Sequence, residues 1–311
     1  MLKETKARLE ASVASSGHSF MATRMDARYS LEAYLSELTG GITYLDTVRK
    51  DLEMAQADWP RMLQRLEGIR AALLKKERFV VNLTGDDAVL KAAAPAVAGF
   101  VRRLPGGAGV ADAEWGQVKL LEPKNEGFVV PTQVNYVGKG GRLYHPGEHV
   151  PGSAVVAARF LRTGYLWDNV RVMGGAYGGF CRFSPVSGAF SFLSYRDPNL
   201  DKTLDIYDGA AEFLQSMHLP SEELELSVIG AVGDMDNPMS PDQKGFTSLK
   251  RYLIGQTEDD RQRFREEVLS TTAADFKRFG ERLAALNEDA FAAVVGSKAA
   301  FEAANAELPA A

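Results

Sequence analysis

Two pairs of glycines, Gly174-Gly175 and Gly178-Gly179, interrupt the run VRVMGGAYGGFCRF, whose flanks are apolar and patterned like a strand. Glycine weakens a strand, having no side chain to pack and the most backbone freedom to lose. Such a cluster predicts either a bulge or a place where a second backbone comes close. Arg171 and Tyr177 bracket the first pair and can project into the space left by the missing side chains. A guanidinium offers several donors in fixed geometry and a phenol offers one more, a set suited to a peptide carbonyl or an oxyanion. A twisted strand near a sheet edge, with a surface arginine and a half-buried tyrosine, fits the same residues. Both readings stay open on the run alone.

The hydrophobic period changes along the 311 residues. Residues 1 to about 76 read as helices, with Leu31, Tyr34, Leu35 and Leu38, then Met62, Leu63, Leu66, Ile69, Leu73 and Leu74, at helical spacing. Gly40-Gly41 separates two of them. FVVNLTGDD (Phe79 to Asp87) reads as a lone strand and turn, followed by a helix with Pro95 inside it. One strand has no partner, so this part is expected to be the end of a larger domain. Leu104 to Trp115, with a proline and three glycines, is the expected linker, giving domains at 1–104 and 105–311.

Beyond it, QVKLL, Phe128 to Gly138, NVRVMGGAYGGFCRF, GAFSFLSYR and FAAVVGS read as strands, with SPVSG joining a hairpin. Ser153 is placed as one helix N-cap and Asp197 as another, with Pro198 in the first turn and Leu200, Leu204, Tyr207, Ala211 and Leu214 as the apolar face. Further helices are expected after Ser221, Ser240 and Thr257, from about Thr272, and at the end of the chain. The predicted class is α+β: a mostly antiparallel sheet with helices packed on one face, preceded by a helical remnant of a second α+β domain.

Acidic and basic residues are interspersed, the net charge is −5, and no basic tract supports a nucleic-acid partner. No apolar run reaches the ~18 residues that span a bilayer. A single cysteine, Cys181, excludes an internal disulfide and a cysteine-based zinc site, and fits a reducing compartment. MLKETKARLEASVASSGHSF has no apolar core, and its acids are unlike a transit peptide; it reads as a helix of a folded body whose start is abrupt.

His145, Glu148 and His149 match His-x-x-Glu-His, the zinc signature of inverzincin peptidases, and Glu222, Glu223 and Glu225 lie downstream as candidate third ligands. That chemistry needs both imidazoles on one helical face. Pro146 and Gly147 stand between them; an interior proline costs a helix about 3 kcal/mol and a glycine about 1. The surrounding GKGGRLYHPGEHVPGS has a loop composition, so the expectation is a surface loop and no metal site in this chain.

The run GGAYGGFCRFSPVSGAFSFLSYRDPNLDKTLDIYDG resembles the C-terminal half of presequence proteases, members of the pitrilysin and insulysin inverzincin group. GHSFMATRMDA, GGITYLDTV, PTQVNYVGK, YLWDNVRV and DDRQRFREEVLSTTAADFKRF carry the same resemblance, in order, over nearly the whole chain. It implies two bowl-shaped halves, each of two α+β domains, closing on a peptide. Zinc, the cofactor of the full enzyme, would be bound by the N-terminal half, which becomes this chain's partner. By the same resemblance Arg171 would hold the substrate backbone and Tyr177 would donate to the carbonyl oxygen as it becomes an oxyanion. Residues 1–104 would be the end of the third domain and 105–311 the fourth. The implied substrates are targeting peptides and other short unstructured peptides, in mitochondria or chloroplasts, and this chain alone would be inactive. Two rival expectations are a self-sufficient metallopeptidase built on the HPGEH loop and a non-enzymatic peptide-binding or assembly protein.

Overall fold

The computed structural model describes residues 1–107 and 118–307. Five helices come first: α1 (Leu2–Asp26), α2 (Leu31–Gly40), α3 (Ile42–Ala57), α4 (Trp59–Leu73) and α5 (Asp87–Arg103). Strands β1 (Glu126–Val129) and β2 (Tyr136–Arg142) follow, then α6 (Ser153–Thr163), a π-helical segment (Trp167–Met173), β3 (Gly178–Phe183) and β4 (Ala189–Tyr195). The order finishes with α7 (Asp201–Ser216), α8 (Ser221–Met235), α9 (Pro241–Leu253), α10 (Glu258–Leu269), α11 (Ala273–Asp289), β5 (Phe291–Gly296) and α12 (Lys298–Glu307).

The strands form one sheet in the order β1-β5-β2-β4-β3; β1 runs parallel to β5 and every other pair is antiparallel. Alternation along each strand divides the core. Val137, Phe190, Phe192 and Val294 pack with residues of α6, α7 and α11, among them Leu161, Tyr207, Leu214, Phe276 and Leu283. Tyr136, Leu193, Ala293 and Val295 face the other way, onto Val13, Met21 and Met25 of α1. Each fully buried side chain of this size contributes about 1.5–3 kcal/mol. The α+β class and the mostly antiparallel sheet are as the sequence predicts; in addition, α1 covers the face opposite α7 and α11.

Helix α1 is kinked at Ser16 (φ −138°, ψ 34°), and a Cβ on Gly17 would lie 2.6 Å from the Tyr136 ring, so glycine lets helix and sheet meet there. A buried ionic network ties α1 and α2 to β1. Glu37, fully buried, accepts from Arg24 at 2.9 Å and from the Thr43 amide and hydroxyl. Glu126 takes Arg24 at 2.8 Å and Arg28 at 2.6 Å. Burial works to raise the Glu126 carboxyl, but the two guanidiniums outweigh it and hold its pKa below the ordinary value.

The contacts divide the chain into two compact units. One unit comprises Met1–Arg49, Lys119–Met235 and Phe264–Ala311; the other comprises Lys50–Val118 and Asp236–Arg263. Residues 1–49 thus group with the sheet, because the kinked α1 buries its methionines there. The expected linker, Leu104 to Trp115, falls mostly outside the described residues. In the second unit Met62 is the one buried hydrophobic residue among those described, while Trp59, Leu63, Leu66, Ile69 and Leu73 stand exposed along α4. Phe79 to Leu83 forms no strand: within the described residues it finds no backbone ladder to join. No helix of the described residues is long and apolar enough to cross a membrane.

Candidate functional site

Helix α6 ends at Thr163, and the chain re-enters helical turns at Trp167 with the wider π geometry rather than the expected strand. The glycines explain how that segment fits. A Cβ on Gly174 would lie 2.5 Å from the Val170 carbonyl oxygen, and one on Gly179 would lie 2.6 Å from the Val170 Cβ. Gly175 sits at φ +80°, where a side chain is strained. The pairs therefore let the π-helical segment turn sharply and press against β3, which begins only at Gly178. Close approach of a second backbone, one of the two outcomes the glycine run predicted, is what the fold uses.

Asp197 anchors this turn from the far side. It is fully buried, and its backbone exchanges hydrogen bonds with Asn135 at 2.7 and 2.8 Å. Its carboxylate accepts from the Asn199 amide at 2.9 Å and the Thr203 hydroxyl at 2.8 Å. Burial pushes that carboxyl above its usual pKa, and the hydrogen bonds pull against it. The Asn199 side chain then donates to the Gly174 carbonyl at 2.6 Å. Asp197 is thus a loop anchor rather than the cap of α7, which starts at Asp201.

The sequence-predicted pair comes together on this scaffold. The Arg171 guanidinium carbon lies 4.0 Å from the centre of the Trp167 ring and 5.7 Å from that of Tyr177. Tyr177 is 66% exposed, and its ring meets Tyr195 edge-on at 5.6 Å. Its backbone N–H donates to the Arg196 carbonyl at 3.3 Å. Arg171 makes no ion pair among the described residues. Two aromatic planes limit where its fork can point, leaving charged N–H donors for a carbonyl or carboxylate beside a phenol donor. Trp167, Tyr195 and Arg196 were not found from sequence. Trp167 precedes Arg171 by four residues, a helical spacing invisible while the segment reads as a strand.

The HPGEH loop is arranged differently. Gly147 turns the chain at φ +87°, and Glu148 reaches back to accept from the backbone N–H of His145 at 2.8 Å. Arg282 pairs with the same carboxylate oxygen at 3.3 Å, and His149 lies 2.9 Å from Glu267. The glutamate is committed to its own loop and to α11, and His149 is directed at α10, so this donor set does not fit a zinc ion. Among the described residues no group of three or more His, Cys, Asp or Glu side chains could hold a metal.

Comparison with known proteins gives the class first. The fold is similar to a peptidase M16 inactive domain from Pseudomonas fluorescens, with a TM-score of 0.63 at 17% identity, covering 96% of this chain and 70% of that one. The pattern of the PreP C-terminal domain matches residues 125–298, and that of the region associated with M16 peptidases of subfamily C matches residues 1–50. The chain belongs to the presequence-protease family of M16 peptidases. It is 42% identical to presequence protease 1, chloroplastic/mitochondrial, of Arabidopsis thaliana over 98% of this chain and 28% of that protein. It is 27% identical to the mitochondrial presequence protease of Saccharomyces cerevisiae, over 92% of this chain and 29% of that one. Protein HypA of Clostridium perfringens is also 27% identical, over 96% and 30%. The chain spans less than a third of the length of these relatives.

Proposed function

We propose that this chain is the substrate-gripping part of a zinc metallopeptidase of the presequence-protease family, with the zinc and the water-activating groups supplied by a separate N-terminal half. The carrying observation is the Arg171–Tyr177 pair, with Arg171 over the Trp167 ring and the phenol left exposed on a glycine turn. Arg171 holds a backbone carbonyl of an extended peptide. Tyr177 donates a hydrogen bond to the scissile carbonyl oxygen, and this bond strengthens as negative charge develops there. Substrates are short unstructured peptides, cleaved targeting peptides included, because an extended backbone can lie along such a surface without unfolding first. The family relatives named for mitochondria and chloroplasts support those compartments. Residues 1–104 would be the end of a third domain and 105–311 a fourth, metal-free one.

The test is a peptidase assay with zinc present. This chain alone should show no turnover; joined to a zinc-bearing half it should cut an unstructured peptide. In that assembly Tyr177→Phe should lower kcat roughly 10²- to 10³-fold, the loss typical of one oxyanion donor. Turnover by the isolated chain, or an assembly indifferent to both Tyr177→Phe and Arg171→Ala, would overturn the reading.

A further inference from the structure

Arg196 is the one residue other than glycine with a positive φ among the described residues, at +49°. Glycine adopts this conformation without strain; a side chain as long as arginine's does not. The surroundings force it. On one side Tyr195 ends β4, paired with Gly178; on the other Asp197 is locked to Asn135 by two backbone hydrogen bonds. The Arg196 carbonyl between them receives the Tyr177 N–H at 3.3 Å. A strained backbone held beside a proposed site is a common mark of function.

The side chain adds a second, independent observation. Arg196 is exposed, and its guanidinium carbon lies 5.4 Å from the centre of the Tyr195 ring. That ring carries no charge, and like Arg171, Arg196 has no carboxylate within ion-pair distance among the described residues. The two guanidiniums therefore stand at the ends of one row of contacts, Arg171 to Tyr177, Tyr177 to Tyr195, Tyr195 to Arg196. Added end to end, those contacts span no more than about five residues of extended chain at roughly 3.3 Å each.

Resting on the function proposed above, we infer that Arg196 is a specificity-determining residue that binds a carboxylate of the peptide while Arg171 holds its backbone. The carboxylate comes either from an acidic side chain or from the free C-terminus of a short peptide; a guanidinium fork suits both. An exposed cation with no internal counter-ion, resting on an aromatic ring, is prepared for such a partner. Tyr195 between the two cations gives the peptide an apolar surface, and acidic peptides gain most.

The experiment is equilibrium binding of labelled unstructured peptides to this chain, by fluorescence anisotropy at low salt. One peptide has a free C-terminus, a second is its C-terminal amide, and a third, also amidated, carries an internal glutamate in place of glutamine. Arg196→Gly is the informative variant, since it relieves the φ strain and should leave the Tm unchanged or raise it. The expected result is about tenfold weaker binding of whichever peptide carries the recognised carboxylate, the other peptides being unaffected. Loss limited to the free C-terminus or to the glutamate peptide identifies the source. Arg196→Lys should recover only part of the affinity. Equal loss for charged and neutral peptides, or no loss for any, overturns the inference and leaves Arg171 and Tyr177 standing if Arg171→Ala still weakens binding of every peptide. Failure of the unmodified chain to bind any peptide overturns this inference together with the reading beneath it.

Discussion

The two units of this chain are built from similar amphipathic helices, yet only one closes a core. In the sheet-bearing unit α1 lies on one face and α6, α7 and α11 lie on the other, so Tyr136, Phe192, Tyr207 and Phe276 are all but absent from the surface. In the unit containing α4, α5 and α9 the apolar stripes are equally regular. There, however, Met62 is the single buried hydrophobic residue among those described, and Phe246, Tyr252 and Leu253 of α9 join α4 in facing solvent. Periodicity creates an apolar face; it does not supply the surface that face needs. A sheet offers two broad faces at once, and residues 1–49 group with it.

The comparison is broken most directly by native-state hydrogen exchange. Amides of β2, β4 and α7 should be protected on the scale of global unfolding. Amides of α4 and α9 should exchange about a thousandfold faster or more, through local opening. Equal protection would mean that the second unit shares the stability of the first. A smaller effect comes from matched truncations. Phe192→Ala, which removes a ring stacked 5.0 Å from Tyr207, should cost about 3–5 kcal/mol in chemical denaturation. Leu66→Ala, at a position 43% exposed, should change stability by less than about 0.5 kcal/mol.

A pH dependence sharpens the account of the sheet-bearing unit. Burial pushes the Asp26 carboxyl up to about 6, with Arg182 at 3.9 Å opposing only in part. A folded-state pKa raised above the unfolded value makes its contribution largest below about pH 4, and that contribution fades as pH rises through 6. Replacing it by asparagine should flatten that stretch of the stability curve, a change on the order of 3 kcal/mol. An unchanged slope between pH 4 and 6 would show that Asp26 is better solvated than its packing indicates.

The α7 face was legible before any coordinates. Tyr207, Ala211 and Leu214 are buried where the 3–4 spacing put them, because a helix against a sheet obeys that period strictly. Strand β4, the hairpin and β5 were legible for a similar reason. The π-helical segment was not, since WDNVRVM has the branched, alternating look of a strand and only tertiary contact with β3 decides otherwise. Pro131 splits what reads as one long strand, Phe128 to Gly138, into parts of β1 and β2. Of the candidate site, the place of Arg171 and Tyr177 around the glycines left two readings open, and the resemblance to presequence proteases singled them out. Trp167 depended on the helical register, and Arg196 on a backbone dihedral that no composition reveals.

Cys181 has a consequence of a practical kind. Its thiol is buried between β3 and α6, donates to the Ala158 carbonyl at 3.1 Å, and is pushed up to about 12 by burial. As the chain's lone sulfhydryl it cannot meet a water-soluble alkylating reagent until that strand and helix part. The rate of its modification is therefore an internal clock for separation of the two elements that support Tyr177, readable without adding any label to the molecule.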